Sequence, residues 1–261
     1  MDDQLIHHYT SIGAFAAILR HRTIRFGRLD TLDDTQEAQR IGSFDFGKML
    51  FASCWVEKHE EDIAQWAMYG DAMRGVRISL PRQPFALVPR LTSLDSMRDV
   101  RGQGYILSPD LIDDENDFLS RVSYVDDVAA EYASRVEIID GGFRINGRAT
   151  TIATFKNKYW SFQREVRFVL HASPGPAGWD NDNEWATKFG ELAKSGGWGA
   201  FGPETTFIDR ALAADALDRG EVVLGPLATE SDRLIVESLI ATLAPRVQLR
   251  HSKLTGLIRH R

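Results

Sequence analysis

Cysteine is nearly absent from this 261-residue chain, which contains only Cys54. One cysteine excludes an internal disulfide framework and a thiolate zinc cluster. No apolar run approaches the roughly 18 residues of a membrane-spanning helix. The first residues, MDDQLIHH, are too acidic and polar for a secretory signal. These absences predict a cytoplasmic protein that has no membrane partner.

Positive charge is also in the minority, because 31 Lys and Arg face 37 Asp and Glu and give a formal net charge of -6. Such a total argues against a surface coated in positive charge for non-specific DNA binding, although a local basic groove is compatible with it. The hydrophobic fraction of 43% is that of an ordinary globular protein.

The usual catalytic motifs are missing as well: the sequence has no dinucleotide-binding G-x-G-x-x-G after a strand, no P-loop, no H-E-x-x-H, no nucleophile elbow and no EF-hand. Cys54 lies inside the apolar run 49–56, which favours a buried, inert thiol over a nucleophile. Asp33, Asp34 and Glu37 could bind a cation, but a solvated loop is the simpler interpretation. No metal site is therefore predicted.

Hydrophobic spacing predicts helices and strands that interleave without strict βαβ order. This pattern favours an α+β fold, with mixed, mostly antiparallel sheets flanked by helices. The chain shows no composition break, so residues 1–261 are predicted to form a single domain with a Gly/Trp-rich loop or insertion at about 173–202. We predict strands at 4–9, 23–29, 49–56, 75–80, 121–125, 166–170, 222–224 and 247–250. We predict helices from residue 10 or 11 through at least 19, and at 60–69, 127–136, 149–160 and 231–243.

The first candidate for function is the segment His7-His8-Tyr9-Thr10-Ser11, in which His8 and the Thr/Ser pair lie at a junction from strand to helix. Free N–H groups at a helix N-terminus suit a polar or anionic ligand. The alternative is that Thr10 or Ser11 only caps the helix while a histidine packs at the sheet edge.

The second and third candidates lie around Trp66 and Tyr69, and around Glu165 and Arg167. Tyr69 lies about 60° around the helix from Trp66, since three residues turn ~300°, so its ring can flank a cleft. Strand alternation puts Glu165 and Arg167 on one face. The alternatives are core packing of both aromatics, and an ion pair of Glu165 with Arg167 or Lys158.

Four motifs, in this order and spacing, resemble the bacterial family of domains of unknown function numbered 2971. They are His8-Tyr9-Thr10-Ser11, Leu32-Asp33-Asp34-(x2)-Glu37, Cys54-Trp55 with Trp66-(x2)-Tyr69-Gly70, and Trp160-(x4)-Glu165-(x)-Arg167. The match covers about residues 5 to 170, and Gly225-Pro226 extends it weakly. The family label carries no established activity.

The opening, from His8 through the helix to ILRHRTIRFGRL, is also similar to that of ADP-ribosyltransferases. This resemblance implies a split sheet and an enzyme that uses NAD, with His8, Tyr69 and Glu165 as catalytic residues; Trp66 or Tyr9 could take the place of Tyr69. It further implies a toxin or phage-defence effector acting on nucleic acid or protein, with an antitoxin as a candidate partner. The implied cofactor-binding residues are Tyr9, Thr10, Ser11, Arg25, Trp66 and Arg167.

Two other functions stay open from the sequence. Basic side chains and aromatic rings are mixed in one stretch of the chain, a composition typical of a groove for single-stranded nucleic acid. These residues are Lys156, Lys158, Tyr159, Trp160, Arg164 and Arg167. This pattern favours a nucleic-acid-binding or nucleic-acid-processing protein. A non-enzymatic interaction module is the third candidate, and it predicts that His8, Tyr69 and Glu165 are scattered.

Overall fold

The computed structural model describes residues 4–86, 101–107, 119–140, 142–195 and 202–259. Within these ranges the helices are α1 (Ile12–His21), α2 (Phe46–Met49), α3 (Ile63–Tyr69), α4 (Val128–Arg135), α5 (Asp182–Lys194) and α6 (Glu230–Leu243). The strands are β1 (Leu5–Thr10), β2 (Thr23–Arg28), β3 (Arg40–Ile41), β4 (Phe44–Asp45), β5 (Leu50–Val56), β6 (Val76–Pro81), β7 (Arg101–Gly102), β8 (Tyr105–Leu107), β9 (Leu119–Arg121), β10 (Ser123–Val125), β11 (Val136–Ile139), β12 (Gly142–Ile145), β13 (Phe155–Asn157), β14 (Glu165–Pro174), β15 (Phe207–Ala211), β16 (Glu221–Leu224) and β17 (Gln248–His251).

One mixed, mostly antiparallel sheet of eleven strands organises the fold, in the order β17-β16-β6-β1-β5-β14-β8-β7. Strands β2 and β15 extend it from β5, and β9 joins β14. All six residues of β6 and the first eight of β14 are buried, as expected for strands covered on both faces. The predicted α+β class is confirmed.

The sheet forks at β5, and this fork positions the site described below. Along one edge of β5, strand β1 pairs only at Val56, while β2 pairs only at Phe51 and Ala52. The opposite edge pairs continuously with β14, so that Cys54 lies opposite Arg167. Between the two branches, no strand of the described residues pairs with the backbone around Cys54 on that edge.

Local signals predicted most of the elements near this fork. Ser11 caps α1, because its side-chain oxygen accepts a hydrogen bond from the backbone N–H of Ala14. The apolar run 49–56 forms β5, and Gly70 ends α3 as predicted. Helix α3 begins at Ile63 rather than at residue 60, because Asp62 accepts hydrogen bonds from the backbone N–H groups of Ala64 and Gln65 and so caps it.

The predicted helix 149–160 is wrong. The chain forms a 3-10 segment, Ala149–Thr154, then β13, and then a second 3-10 segment, Lys158–Gln163. Threonine and isoleucine, which are stiff at χ1, occupy residues 150–152 and 154 and lower the helix propensity. In addition, Asn157 caps the second segment by accepting a hydrogen bond from the backbone N–H of Tyr159.

Two further predictions need adjustment. The predicted strand 121–125 is two short strands, β9 and β10, and β15 was not predicted. The segment 173–202, predicted as a loop or insertion, contains the 13-residue helix α5; its residues 196–201 lie outside the described residues. Among the helices that the structure describes, none combines the length and the hydropathy needed to cross a bilayer.

Gly75 should be sensitive to substitution, because it lies where β6 starts against the end of β1. A Cβ atom there would lie 2.1 Å from the carbonyl oxygen of Thr10. We expect Gly75→Ala to lower the free energy of unfolding by about 1–3 kcal/mol, the usual effect of overpacking. Chemical denaturation measures the change. Gly142→Ala is the control, since nothing lies within 4 Å of the added atom; equal losses in both variants would contradict the expectation.

Candidate functional site

A cavity of about 540 Å³, including space open to solvent, lies at the fork of the sheet. We call it the histidine cavity. His8 from β1, Tyr69 from α3 and Glu165 from β14 all line it. Distant parts of the chain therefore bring the three predicted catalytic residues to one place, although their catalytic role stays a prediction.

A hydrogen bond to the backbone at the fork of the sheet holds the ring of His8 in one tautomer. Its Nδ1 lies 2.8 Å from the backbone carbonyl oxygen of Cys54. A carbonyl only accepts, so Nδ1 carries the hydrogen and Nε2 keeps a lone pair. Burial lowers the pKa of His8 and outweighs the opposite effect of this hydrogen bond. At neutral pH the ring is therefore neutral, with Nε2 as its acceptor.

A chain of hydrogen bonds with a defined direction fixes Tyr69. Its hydroxyl lies 2.5 Å from Oδ2 of Asp33 and 2.6 Å from Nε2 of Gln163. A carboxylate accepts only, so the phenol donates to Asp33 and accepts from Gln163. Burial and the neighbouring Asp33 raise the pKa of Tyr69 well above its ordinary value. The phenol stays protonated and already has partners, and the ring face is what it can offer a ligand.

The same chain of hydrogen bonds orients the amide of Gln163. Because Nε2 faces the phenol, Oε1 lies on the other side of the amide. Oε1 is buried and has no hydrogen-bond partner among the described residues, although Gln163 lines the histidine cavity. An unpaired buried acceptor lowers stability by about 1–3 kcal/mol, so a donor from a bound molecule would be favoured here.

Four buried charges form the floor of this region, and we call them the ion cluster: Glu37, Lys156, Glu165 and Arg167. Arg167 is bidentate to Glu165 and also donates to Glu37. The Nζ atom of Lys156 lies 3.1 Å from Oε1 of Glu37 and 3.3 Å from Oε2 of Glu165. Two cations and two carboxylates make the cluster neutral, as burial requires.

Burial and the ion cluster set the ionisation of Glu165 and Cys54. Burial alone would raise the pKa of Glu165, but Arg167 and then Lys156 outweigh it and lower the pKa to about 2. Burial, followed by the charge of Glu165, raises the pKa of the Cys54 thiol well above its usual value. Glu165 is therefore an ionised acceptor, and the half-buried Cys54 is a protonated thiol rather than an activated nucleophile.

A second cavity of about 1150 Å³, including space open to solvent, shares five lining residues with the histidine cavity: His8, Leu32, Asp33, Cys54 and Tyr69. We call it the helix cavity, because α1 and β2 complete its wall. Arg25 and Thr10 line it. The guanidinium of Arg25 is bidentate to Asp209 and lies 3.7 Å above the ring centre of Phe207. The two adjoining cavities offer space for an elongated ligand.

The predicted cofactor-binding residues divide into two groups. Tyr9 and Arg167 line the histidine cavity, and Thr10 and Arg25 line the helix cavity. Ser11 and Trp66 line neither, because Ser11 caps α1 while the fully buried Trp66 packs edge-on against Tyr9. Both arginines already have carboxylate partners, so neither offers an unpaired charge to a pyrophosphate.

Several residues of the site were missed or misjudged in the sequence. The sequence favours a solvated loop for Glu37, but its side chain is buried and only 1% exposed. It places Lys156 in a nucleic-acid groove, but Lys156 is only 3% exposed. The ion pair of Glu165 with Arg167 was considered, but Lys158 pairs with Asp126 instead. Gln163 stands two residues before Glu165 and gave no signal of its own.

In the described residues no group of three or more His, Cys, Asp or Glu could hold a metal ion.

No protein-family model matches the chain, and comparisons with curated proteins and with solved structures find no match. The two family resemblances therefore stay predictions from the motifs, and the geometry of the cavities has to support any function.

The ion cluster should depend on Glu37, which does not line the histidine cavity. We expect Glu37→Gln to lower the free energy of unfolding by about 3–5 kcal/mol, because it leaves buried cations short of one partner. Glu137→Gln breaks an exposed pair with Arg144 and should change stability by about 0–1 kcal/mol. Denaturant titration of both variants measures the difference, and similar small changes would contradict a stabilising cluster.

His7, which lies beside His8 and also lines the histidine cavity, should make the fold sensitive to acid. Its Nδ1 is 2.8 Å from the hydroxyl of Ser79. Burial, helped by Arg77 and His59, lowers its pKa from 6.5 to about 3. Between these values the unfolded chain binds a proton that the folded chain does not. This histidine therefore stabilises the fold fully above pH 6.5, and the stabilisation falls by about 1.4 kcal/mol per pH unit below it.

Stability measured from pH 7.5 to 5 tests this expectation, since that window lies above most carboxyl titrations. His7→Asn should reduce the slope, and the part due to the buried His8 should remain because burial lowers the pKa of His8 as well. His251→Asn, at an exposed position, should leave the slope unchanged. A slope that is the same in His7→Asn and in the unmodified protein would show that this group does not cause it.

Proposed function

We propose that the chain is a NAD-dependent enzyme of the ADP-ribosyltransferase type, which breaks the nicotinamide–ribose bond and transfers ADP-ribose. The observation that carries the proposal is the convergence of His8, Tyr69 and Glu165 on the histidine cavity. A non-enzymatic module gives no reason for three such groups, from three distant elements, to share one cavity.

His8 and Tyr69 suit the binding of the ribose and the nicotinamide ring. The neutral imidazole offers Nε2 as an acceptor for a ribose hydroxyl. The phenol of Tyr69 is held by Asp33 and Gln163, so the ring has a fixed orientation and its face can stack on an aromatic ligand. The unpaired Oε1 of Gln163 would accept a hydrogen bond from the carboxamide of nicotinamide.

Glu165 suits the reacting centre because its carboxylate is ionised and its orientation is fixed. Cleavage gives an oxocarbenium-like ribose, which a nearby carboxylate stabilises. The pairing with Arg167 and Lys156 neutralises much of its charge. Glu165 therefore acts chiefly through the placement of its oxygens, which accept hydrogen bonds from a ribose hydroxyl or from the acceptor.

The chemistry balances without any further reagent. Nicotinamide leaves with the electron pair of the C–N bond, the acceptor's lone pair forms the new bond to the ribose carbon, and the acceptor's proton passes to solvent. A protein or nucleic-acid acceptor gives ADP-ribosylation, and water gives hydrolysis. As part of this proposal, the enzyme is a cytoplasmic toxin or phage-defence effector, which would need an antitoxin to protect the cell that makes it.

Incubation with NAD tests the proposal, with calorimetry for binding and chromatography for released nicotinamide. We expect Glu165→Gln to slow release by about 100- to 1000-fold, the usual effect of removing one electrostatic contributor. His8→Ala should weaken NAD binding by about 10-fold, since it removes one hydrogen bond. Tyr69→Phe keeps the stacking face and should retain more activity than Tyr69→Ala.

Thermal unfolding of each variant has to accompany these assays, because Glu165 belongs to the ion cluster. His8 lies outside that cluster, so the His8→Ala variant still tests NAD binding if the Glu165→Gln variant unfolds. His251→Asn is the matched histidine control. Absence of both NAD binding and nicotinamide release in the unmodified protein would refute the proposal.

A further inference from the structure

Three neighbouring aromatic side chains lie on the 3-10 segment Lys158–Gln163, and we call them the aromatic shelf. Tyr159 is 79% exposed and Phe162 is 42% exposed, while Trp160 is half-buried. The rings of Trp160 and Phe162 are 6.2 Å apart and inclined by 31°. Burying such rings is favourable, so a cluster left exposed marks a surface that contacts something else.

Arg164 follows the shelf directly and has a strained backbone. Its φ of 47° lies in the left-handed region, which residues other than glycine rarely adopt. Its N–H closes the turn on the carbonyl of Ser161. The side chain is exposed and makes no ion pair with the described residues. A left-handed residue is a common end for a helical segment, and here it turns the chain from the shelf into β14.

Arg164 lines a third cavity of about 980 Å³, including space open to solvent, which we call the cationic cavity. Lys58, Arg121 and Arg164 line it together with Glu57 and Glu165. Glu57 is paired with Arg82 and Arg121, and Lys58 lies 3.9 Å from Glu60. The carboxylate of Glu165 is held by the ion cluster, so Lys58, Arg121 and Arg164 face two other carboxylates, and only Arg164 makes no ion pair with the described residues. Positive charge is therefore locally in excess, although the whole chain carries a net charge of -6.

We propose that the aromatic shelf and the cationic cavity bind single-stranded nucleic acid, and that this strand is the acceptor of the transferred ADP-ribose. The acceptor role rests on the proposed function. Proteins that bind single strands combine cations for the phosphates with aromatic faces for the bases. An acidic peptide would meet the same cations but has no reason to prefer the shelf, and a duplex keeps its bases stacked away from it.

The position of Glu165 connects this surface to the reaction. Glu165 lines both the cationic cavity and the histidine cavity. A nucleotide held in the first therefore lies beside the ribose held in the second. A lone pair on its base or sugar forms the new bond to the ribose carbon as nicotinamide leaves with the C–N electron pair, and the proton of the attacking group passes to solvent.

Fluorescence anisotropy of labelled 12-nucleotide single strands, without NAD, tests the binding surface. We expect affinity to fall as salt rises, and a duplex of the same sequence to bind at least about 10-fold more weakly, because its bases cannot stack on the shelf. Binding that is independent of salt, or equal for the duplex or for poly-glutamate, would overturn the proposal.

Two variants locate the surface. Tyr159→Ala should weaken single-strand binding by about 5- to 150-fold, the range for one lost stacking contact. Arg164→Gln keeps the β-carbon and hence the backbone strain, and should reduce the slope of log affinity against log salt by about 1. Leu257→Ala and Arg246→Ala, at positions 75% and 79% exposed elsewhere, are the matched controls. Unchanged affinity in both test variants would overturn the assignment.

Separate assays distinguish this inference from the proposed function. If NAD is cleaved but single strands do not bind, the surface assignment fails and the proposed function stands. If strands bind but NAD is neither bound nor cleaved, the proposed function and the acceptor role fail while the binding surface stands. With both present, transfer of radiolabel from NAD to the strand, lost in Tyr159→Ala while nicotinamide release by hydrolysis persists, confirms the acceptor.

Discussion

The pairing of Arg167 with two carboxylates is the interaction on which the site depends. Arg167 is fully buried, so its charge is tolerable only because Glu37 and Glu165 accept its hydrogen bonds. Lys156 completes the neutrality of the cluster. The four residues tie the loop after β2, strand β13 and strand β14 to one point. The same pairing leaves Glu165 ionised at the junction of two cavities.

The fork of the sheet at β5 explains why there is a cavity at this place. Where β1 and β2 diverge, no described strand pairs with the carbonyl of Cys54, and the ring of His8 hydrogen-bonds to it instead. An open backbone edge thereby selects the tautomer of a histidine. Hydrogen bonds to buried backbone and side-chain groups fix the three proposed catalytic groups before any ligand binds.

Preorganisation also divides the surface around Glu165 into two sides of different character. On one side, the neutral His8 and the oriented Tyr69 line a cavity suited to a ribose and an aromatic ring. On the other side, three cations and an exposed aromatic shelf suit a single strand. A chain with a negative net charge can still bind a polyanion at this surface, because the nearby carboxylates are already paired with arginines. The positive charge of Arg164 can then attract a phosphate at short range.

Local sequence determined the elements whose burial follows a simple period: helix α1 with its Ser11 cap, the buried strand β5, and the placement of Glu165 and Arg167 on one face of β14. Local sequence also indicated that Cys54 is an unactivated thiol. Only the tertiary structure decided that Glu37 and Lys156 are partners of that face, that Gln163 orients Tyr69, and that residues 149–160 are not a helix. The spacing of hydrophobic residues indicates which side of one helix or strand is buried. Ion pairs between distant segments, such as that of Glu37 with Arg167, instead depend on how the whole sheet brings those segments together.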